Sequence, residues 1–336
     1  MRREKSRIYS AKAVLGLIIF CVFVSPGIAE ADQEESASQA NSSVQLNGYV
    51  QVRYTHYWDT GTDGFRIRRA RLGFKGEILK DVNFKLQVDG TRIPILLDAA
   101  VEISLIPYAT LSFGQFKVPF SQENLTSSSA LDLVKRTQTV VQLCPGQDIG
   151  AAGRDIGVTV HGKFSIVEYT LGVFNGSGIN RADMNEQKDI GGRLVLRPLN
   201  SLVIGVSHYI GDRRPIFGAA PVNRDRTGVD VVFSQGPAFI KGEYIFARDD
   251  QAESAGWYIR GGYSFLKEKL QALINYDSYD WDLDLAGSRM NVLTLGLNWF
   301  FSQKTKLQIN YAHHRNEFSG FSYGVLLAQC QAYFEK

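Results

Sequence analysis

The side chains best placed to do chemistry lie in FRIRRARLGFKGEI, Phe65 to Ile78. From Ala70 on, Ala70, Leu72, Phe74 and Ile78 alternate with Arg71, Lys75 and Glu77, and Arg69 falls in the phase of the charged set. Successive side chains of a β-strand point to opposite faces, so this strand has an oily side and a cationic side. Guanidinium and ammonium groups repeated at every second residue suit reversible binding of anions through charge-assisted hydrogen bonds. Phe65 and Ile67 are out of phase with Ala70 and Leu72. Either a bulge separates Arg68 from Arg69, bringing Arg66 and Arg68 beside Arg69 and Arg71, or the first residues stand above the membrane.

More cations surround the longest stretch without clear periodicity, which runs from Lys117 to Gly153 and carries Lys135 and Arg136, with Arg154 at its far end. From Arg53 to Lys85 there are eight basic and four acidic residues, whereas Asp277 to Asp284 holds four acidic residues and no basic one. This polarity fits an anion path lined by Arg66, Arg68, Arg69, Arg71, Lys75, Lys117, Lys135, Arg136 and Arg154. It also fits a basic strand that merely balances acidic patches elsewhere.

Other motifs carry less. Asp280, Asp282 and Asp284 could hold a cation, but acidic surface loops are usually just solvated. Asn175 to Gly178 (NGSG) reads as a strand end and turn, since no helix follows to cradle a phosphate. His313 and His314 are adjacent on an expected strand and point to opposite faces, so they cannot chelate one metal together. There is neither a GxSxG elbow nor an HExxH helix. No catalytic centre, metal site, cofactor or nucleic-acid partner is expected.

The amphipathic strand fits a soluble sheet, with its oily face on a core, or a transmembrane barrel, with that face on lipid and the charges in a watery lumen. The start of the chain bears on this choice. Arg2, Arg3, Lys5, Arg7 and Lys12 form a basic start, Ala13 to Val24 an apolar run, and Ala29-Glu30-Ala31 a small-x-small cleavage site. Phe20 before Cys21 speaks against a lipoprotein site. Residues 1–31 are thus expected to be a cleaved signal peptide, and the polar residues 32–43 a flexible lead-in. The formal charge of +3 resides in the signal, leaving a neutral mature chain with 32 basic and 32 acidic residues. Any anion preference must come from where charges sit. Only Cys144 and Cys330 remain after cleavage, too few for a disulfide framework.

No later stretch has the roughly 18 continuous apolar residues of a membrane helix. Alternation instead runs from Val44 almost to the end: Val44, Leu46, Val50, Val52 and Tyr54 oppose Gln45, Asn47, Gln51, Arg53 and Thr55. Leu293, Leu295, Leu297 and Trp299 oppose Thr294, Gly296 and Asn298; Leu326, Ala328, Cys330, Ala332 and Phe334 oppose Gln329 and Gln331. Tight turns are expected at Lys80-Asp81, Pro107, Gly162-Lys163, Pro198 to Ser201, Gln235 to Pro237, Lys267-Glu268 and Ser302 to Lys304. They take turns with longer connections at Asp59 to Gly64, Thr91 to Pro94, Lys117 to Gly153, Asn175 to Glu186, Gly211 to Asp225, Asp249 to Ala255, Asp282 to Ser288, and Arg315 to Gly320. The rhythm predicts an all-β transmembrane antiparallel β-barrel of about 16 strands over residues 44–336, short turns on one side and long loops on the other. Trp58, Trp257, Trp281 and Trp299 fall near strand ends, where aromatic girdles mark the membrane boundary. The third long connection either folds into the lumen, the arrangement expected here, or lies over the mouth.

The stretches FRIRRARLGFKG from Phe65, GQFKVPFS from Gly114, RDIGVTVHG from Arg154 and YTLGVFNGSG from Tyr169 resemble the phosphate-selective porins O and P. The likeness covers nearly the whole mature chain. It implies a trimeric 16-stranded barrel in the Gram-negative outer membrane, in contact with its lipid, with the third loop folded in. It also implies passive uptake of small inorganic anions, with phosphate the candidate, past lumen arginines and lysines. Phe65 to Gly76 and Lys117 match the family pattern. A general, non-specific porin is the alternative, followed by an outer-membrane enzyme or adhesin on the same barrel.

Overall fold

In the computed structural model, the residues described are 44–58, 61, 63–183, 187–213 and 221–336. The expected signal peptide and lead-in lie outside them, as do parts of three expected loops. The first strands are β1 (Val44–Tyr57), β2 (Gly64–Leu79), β3 (Val82–Asp89), β4 (Leu96–Ile106) and β5 (Ala109–Lys117). After the third loop come β6 (Arg154–Phe164), β7 (Val167–Phe174), β8 (Asp189–Leu199), β9 (Leu202–Arg213), β10 (Val222–Gln235) and β11 (Ala238–Asp249). The wall is completed by β12 (Ala252–Phe265), β13 (Leu270–Asp280), β14 (Arg289–Phe300), β15 (Lys306–Asn316) and β16 (Ser322–Glu335). Each strand pairs with its sequence neighbours, and β1 pairs antiparallel with β16, from Asn47 opposite Glu335 to Tyr57 opposite Val325. The barrel is closed, with 16 strands among the described residues.

Closure turns alternation into two surfaces. Leu293, Leu295, Leu297 and Trp299 are 40–50% exposed on the outside of β14, while Thr294 and Asn298 are buried inside. On β16, Gln329 and Gln331 are buried inside and Phe334 is 45% exposed outside. Trp58, Trp257 and Trp299 are exposed, and Trp58 meets Tyr311 edge to face at 5.4 Å. An apolar exterior over polar, inward-facing positions is the distribution of a barrel in lipid.

Two expected connections differ. The turn expected at Gly162-Lys163 sits three residues later, at 165–166, where Ser165 takes a φ of 53°. Gly162 stays in the strand because a Cβ there would collide with the Tyr108 carbonyl oxygen. The connection expected over Asp249 to Ala255 shrinks to residues 250–251, since Arg248, Asp249 and Glu253 continue β11 and β12. Arg248 and Glu253 form an ion pair of 2.7 Å across the ladder. Polar strands are tolerated there because the ends of these strands stand in water.

The third loop, residues 118–153, contains two short helices, α1 (Gln122–Leu125) and α2 (Gln138–Leu143). Ser121 and Thr137 cap them through their hydroxyls, accepting from the Asn124 and Val140 amides, as expected of N-caps. Val118, Phe120, Val140, Leu143 and Cys144 pack on Tyr209, Ile245, Ala247 and Tyr258 of the inner wall, forming the main apolar core. Two wall glycines make room: a Cβ at Gly228 would stand 3.0 Å from the Phe120 ring, and one at Gly256 2.7 Å from Thr139 Oγ1.

Polar anchors surround that core. The Glu123 carboxylate accepts from Arg260 Nη2 at 2.6 Å and from the Thr137 amide and hydroxyl at 2.9 and 2.8 Å. Glu243 accepts from the Ser121 hydroxyl and the Glu123 amide, both at 2.6 Å. Thr139 donates to Asp277 at 2.7 Å, and the Val134 amide to Asn310 at 2.8 Å. Lys306 donates to the Leu131 carbonyl at 2.6 Å and Gln331 to that of Ser129 at 2.9 Å. Asp132, between Lys241 at 2.9 Å and Arg260 at 3.1 Å, has its carboxyl held below the usual range. Burial opposes that shift, and the two cations outweigh it.

Two outcomes follow for stability. In lipid vesicles, Leu295→Arg should lose roughly 2–4 kcal/mol in urea unfolding, whereas Leu295→Val should change little; a tolerated arginine would contradict a lipid-facing outer surface. Glu123→Ala should cost about 3 kcal/mol, near the low end for breaking a buried pair, because Arg260 keeps Asp132. It should also open the loop to limited proteolysis. A loss below about 0.5 kcal/mol would show that the apolar core alone seats the loop.

Candidate anion path

The register of β1 against β2 decides where the arginines go. Gln51 faces Arg69, but the next pair is Val52 with Ile67, leaving Arg68 as the extra residue of a β-bulge. The bulge restores phase, as one reading of the sequence anticipated. Arg66 lies opposite Arg53 and shares its inner face, while Arg69 and Arg71 are buried inside. Arg53 is absent from the cations expected along the path, although it shares the polar phase of Gln51. Its cross-strand neighbour could not be read from spacing.

These groups are poorly neutralised. Arg71 Nε donates to Asp89 at 2.8 Å, and its guanidinium lies 5.8 Å from the Tyr49 ring centre. Arg69 Nη1 donates to the Gln51 amide oxygen at 2.7 Å. Arg53 is 3% exposed, and its Nε and Nη1 have no hydrogen-bond partner among the described residues; Arg69 Nε is likewise unpartnered. No carboxylate of the described residues pairs with Arg53, Arg66, Arg68 or Arg69. Lys135, exposed on the third loop, is held below the usual lysine range, first by desolvation and then by Arg66 and Arg68.

The other expected residues sit differently. Lys117 Nζ donates to the carbonyls of Asn124, Leu125 and Thr126 at 2.6, 3.1 and 2.8 Å. Arg136 reaches the same segment, donating to the carbonyls of Glu123, Asn124 and Thr126 and to Ser128 Oγ. Both cations face the carbonyl end of α1, where positive charge is favoured. Arg154 makes a two-point contact with Asp98 at 2.8 and 3.1 Å, and Lys85 approaches the same carboxylate at 3.3 Å. Lys75 is exposed at the turn-side half of β2, opposite Lys85 of β3.

Across the lumen, guanidinium groups meet carboxylates. Arg193 meets Asp230 at 2.5 and 2.9 Å, Arg224 meets Asp148 at 2.5 Å, and Arg226 meets Asp249 at 2.7 Å. These four basic residues of β8, β10 and β12, counting Arg260, were also missed as lumen residues. Arg193 and Arg260 stand alone in the sequence, and Arg224 and Arg226 alternate over too short a stretch, broken by Asp225, to give a signal like the run at Arg66. His313 and His314 do take opposite faces. Asp280 accepts from Ser288 and pairs with Arg289 at 3.5 Å. No cluster suited to a metal occurs among the described residues.

Ser128 joins loop to wall. Its carbonyl accepts from Gln51 at 3.3 Å, and its hydroxyl from Arg71 and Arg136, both at 3.4 Å. Through Ser128 the loop cation Arg136 and the wall cation Arg71 meet at one hydroxyl.

Among solved structures, an anion-selective porin from Comamonas acidovorans is similar at 17% identity and TM-score 0.68, over 87% of this chain and all of that one. The trimer form of OmpT, an outer-membrane protein of Vibrio cholerae, is similar at 12% identity and TM-score 0.64, over 87% of this chain and 99% of that one. The outer-membrane channel DcaP of Acinetobacter baumannii is similar at 14% identity and TM-score 0.61, over 87% and 97%. These likenesses concern the fold. No curated protein matches the chain. The family described as phosphate-selective porin O and P matches residues 44–215 and 210–321, and with that match over a closed 16-stranded barrel, the chain belongs to this porin family.

Proposed function

We propose that the protein is an exported outer-membrane porin through which small inorganic anions diffuse passively, phosphate being the candidate, and that it works as a homotrimer. The observation that carries this reading is the imbalance across the lumen. Arg53, Arg66, Arg68 and Arg69 lack carboxylates among the described residues, while Arg193, Arg224, Arg226 and Arg260 have them. A paired guanidinium offers little field to a passing ion. An unpaired one facing a watery lumen with low-dielectric walls offers a focused field.

Arg66, Arg68, Arg69, Arg71 and Lys135 act as successive weak sites, each replacing part of an anion's hydration by charge-assisted hydrogen bonds. Several moderate sites in sequence let an ion bind and still leave. Arg53 is added to this set. Lys117, Arg136 and Arg154 act mainly by holding the loop and wall in place, and Lys75 adds charge at the turn-side exit. The third loop narrows the lumen beside the arginines. The trimeric state draws support from family membership and from the trimer form of the OmpT structure, and export from the basic and apolar start of the chain. A general porin is the second reading, favoured by the neutral mature charge.

Replacing Arg66, Arg69 and Lys135 together by glutamine should lower the anion-to-cation permeability ratio severalfold and weaken saturable phosphate binding. Lys80→Ala, at a turn in open water where screening acts over about 8 Å, should do little. Reversal potentials in asymmetric salt, chloride and then phosphate, provide the measurement. An unchanged ratio in the triple variant, or an equal shift in the control, would favour the general porin. Deleting residues 127–142 should raise single-channel conductance and reduce selectivity together; a folded deletion variant with unchanged conductance would remove the constriction from this account.

A further inference from the structure

Above the arginine column, on the long-loop side, the inner wall changes character. His314 of β15 and Tyr323 of β16 are cross-strand partners whose rings lie parallel, with centres 4.6 Å apart and planes 2° apart. Tyr57 of β1 stands opposite Val325 of β16. Tyr57 and Tyr323 both pack on an apolar floor made by Val134, Val325 and Leu327. That floor is buried, but Tyr57, Tyr323 and His314 remain partly open.

The next residue of the loop after Val134 is Lys135, exposed and coupled electrostatically to Arg66, Arg68 and His314. The shelf of rings therefore leads directly into the unpaired cations. On β1, Arg53 lies four residues below Tyr57, roughly 13 Å along the strand, a gap that the long side chains of Arg66 and Lys135 shorten. A bare inorganic anion gains nothing from the shelf, since it has no apolar body to lay on it. An aliphatic acid gains only burial. A flat ring gains burial and offset stacking on His314, Tyr323 or Tyr57, while its carboxylate reaches guanidinium and ammonium donors.

We infer that the loop-side vestibule is a binding site for planar aromatic carboxylates, held by ring stacking at Tyr57, His314 and Tyr323 and by the cations Lys135 and Arg66. The inference rests on the anion-path reading and gives that path a preferred class of organic substrate. The rings act as a collecting surface before the column, raising the local concentration of such anions where the lumen narrows.

Block of the chloride current by benzoate, acetate and cyclohexanecarboxylate, added to the full-length porin in planar bilayers, tests it. Benzoate added on the loop side should bind about tenfold more tightly than acetate, the scale of one good aromatic contact, and more tightly than cyclohexanecarboxylate. Tyr323→Leu should remove most of that advantage while leaving chloride selectivity intact, and Tyr323→Phe should retain it. Lys135→Gln should weaken all three blockers. Equal affinity for benzoate and acetate in the unaltered protein overturns the site, whether or not the Leu variant folds. Equal affinity for benzoate and cyclohexanecarboxylate overturns the stacking. A channel without anion selectivity would instead overturn the anion path itself.

Discussion

A bilayer offers its interior no water, so every backbone amide and carbonyl of a strand crossing it must be satisfied by another strand. The seam between β1 and β16 is where this chain meets that demand. With Val50 opposite Ala332 and Gln51 opposite Gln331, neither end strand has a free edge, and inner and outer faces become distinct solvents. The strict alternation of small clues along the sequence acquires meaning only through this closure. A sheet of 16 strands encloses more space than its own side chains can fill, so the third loop has room to lie inside.

That loop creates a dry region within an otherwise wet lumen. Its apolar core and the charged residues around it are shielded from water, and charges buried there must be paired or become very costly. Arg260 accordingly meets both Glu123 and Asp132, at 2.6 and 3.1 Å. Removing one carboxylate leaves Arg260 with the other, whereas removing Arg260 would strip Glu123 of its cation, which makes the docking geometry specific as well as stable. The β1–β2 wall follows another rule. Arg71 has Asp89, but Arg53, Arg66, Arg68 and Arg69 pair with no carboxylate among the described residues and must draw their stabilisation from water or anions, which under the proposed function is what suits them to select.

Much of this was legible in the sequence, and the reason lies in range. The faces of Leu295 and Thr294, or of Cys330 and Gln331, depend on local alternation and could be assigned. The bulge at Arg68 left a local trace in the phase error between Ile67 and Ala70. The position of Arg53 opposite Arg66 depends on register between strands, which spacing does not contain. Lys117 and Arg136 were visible as cations, but their partners are backbone carbonyls of residues 123–126, and a carbonyl has no signature in composition. Gly162 and the polar residues around Asp249 misled for a related reason. Glycine can serve close packing as well as a turn, and polar residues can continue a strand where its end is in water.

Loop position and the orientation of the wall cations cannot be independent in this arrangement. The same residue, Ser128, accepts from Gln51 and Arg71 of the wall and from Arg136 of the loop. Gln51 in turn accepts from Arg69 and donates to Gln331 at the barrel seam. Any displacement of the loop from β1 would release donors of Arg71 and Gln51 and so reorient the wall cations. A rigid loop therefore fixes the direction of the guanidinium groups it touches. This explains why so many anchors, from Glu243 to Asn310, hold a segment that makes no strand of its own.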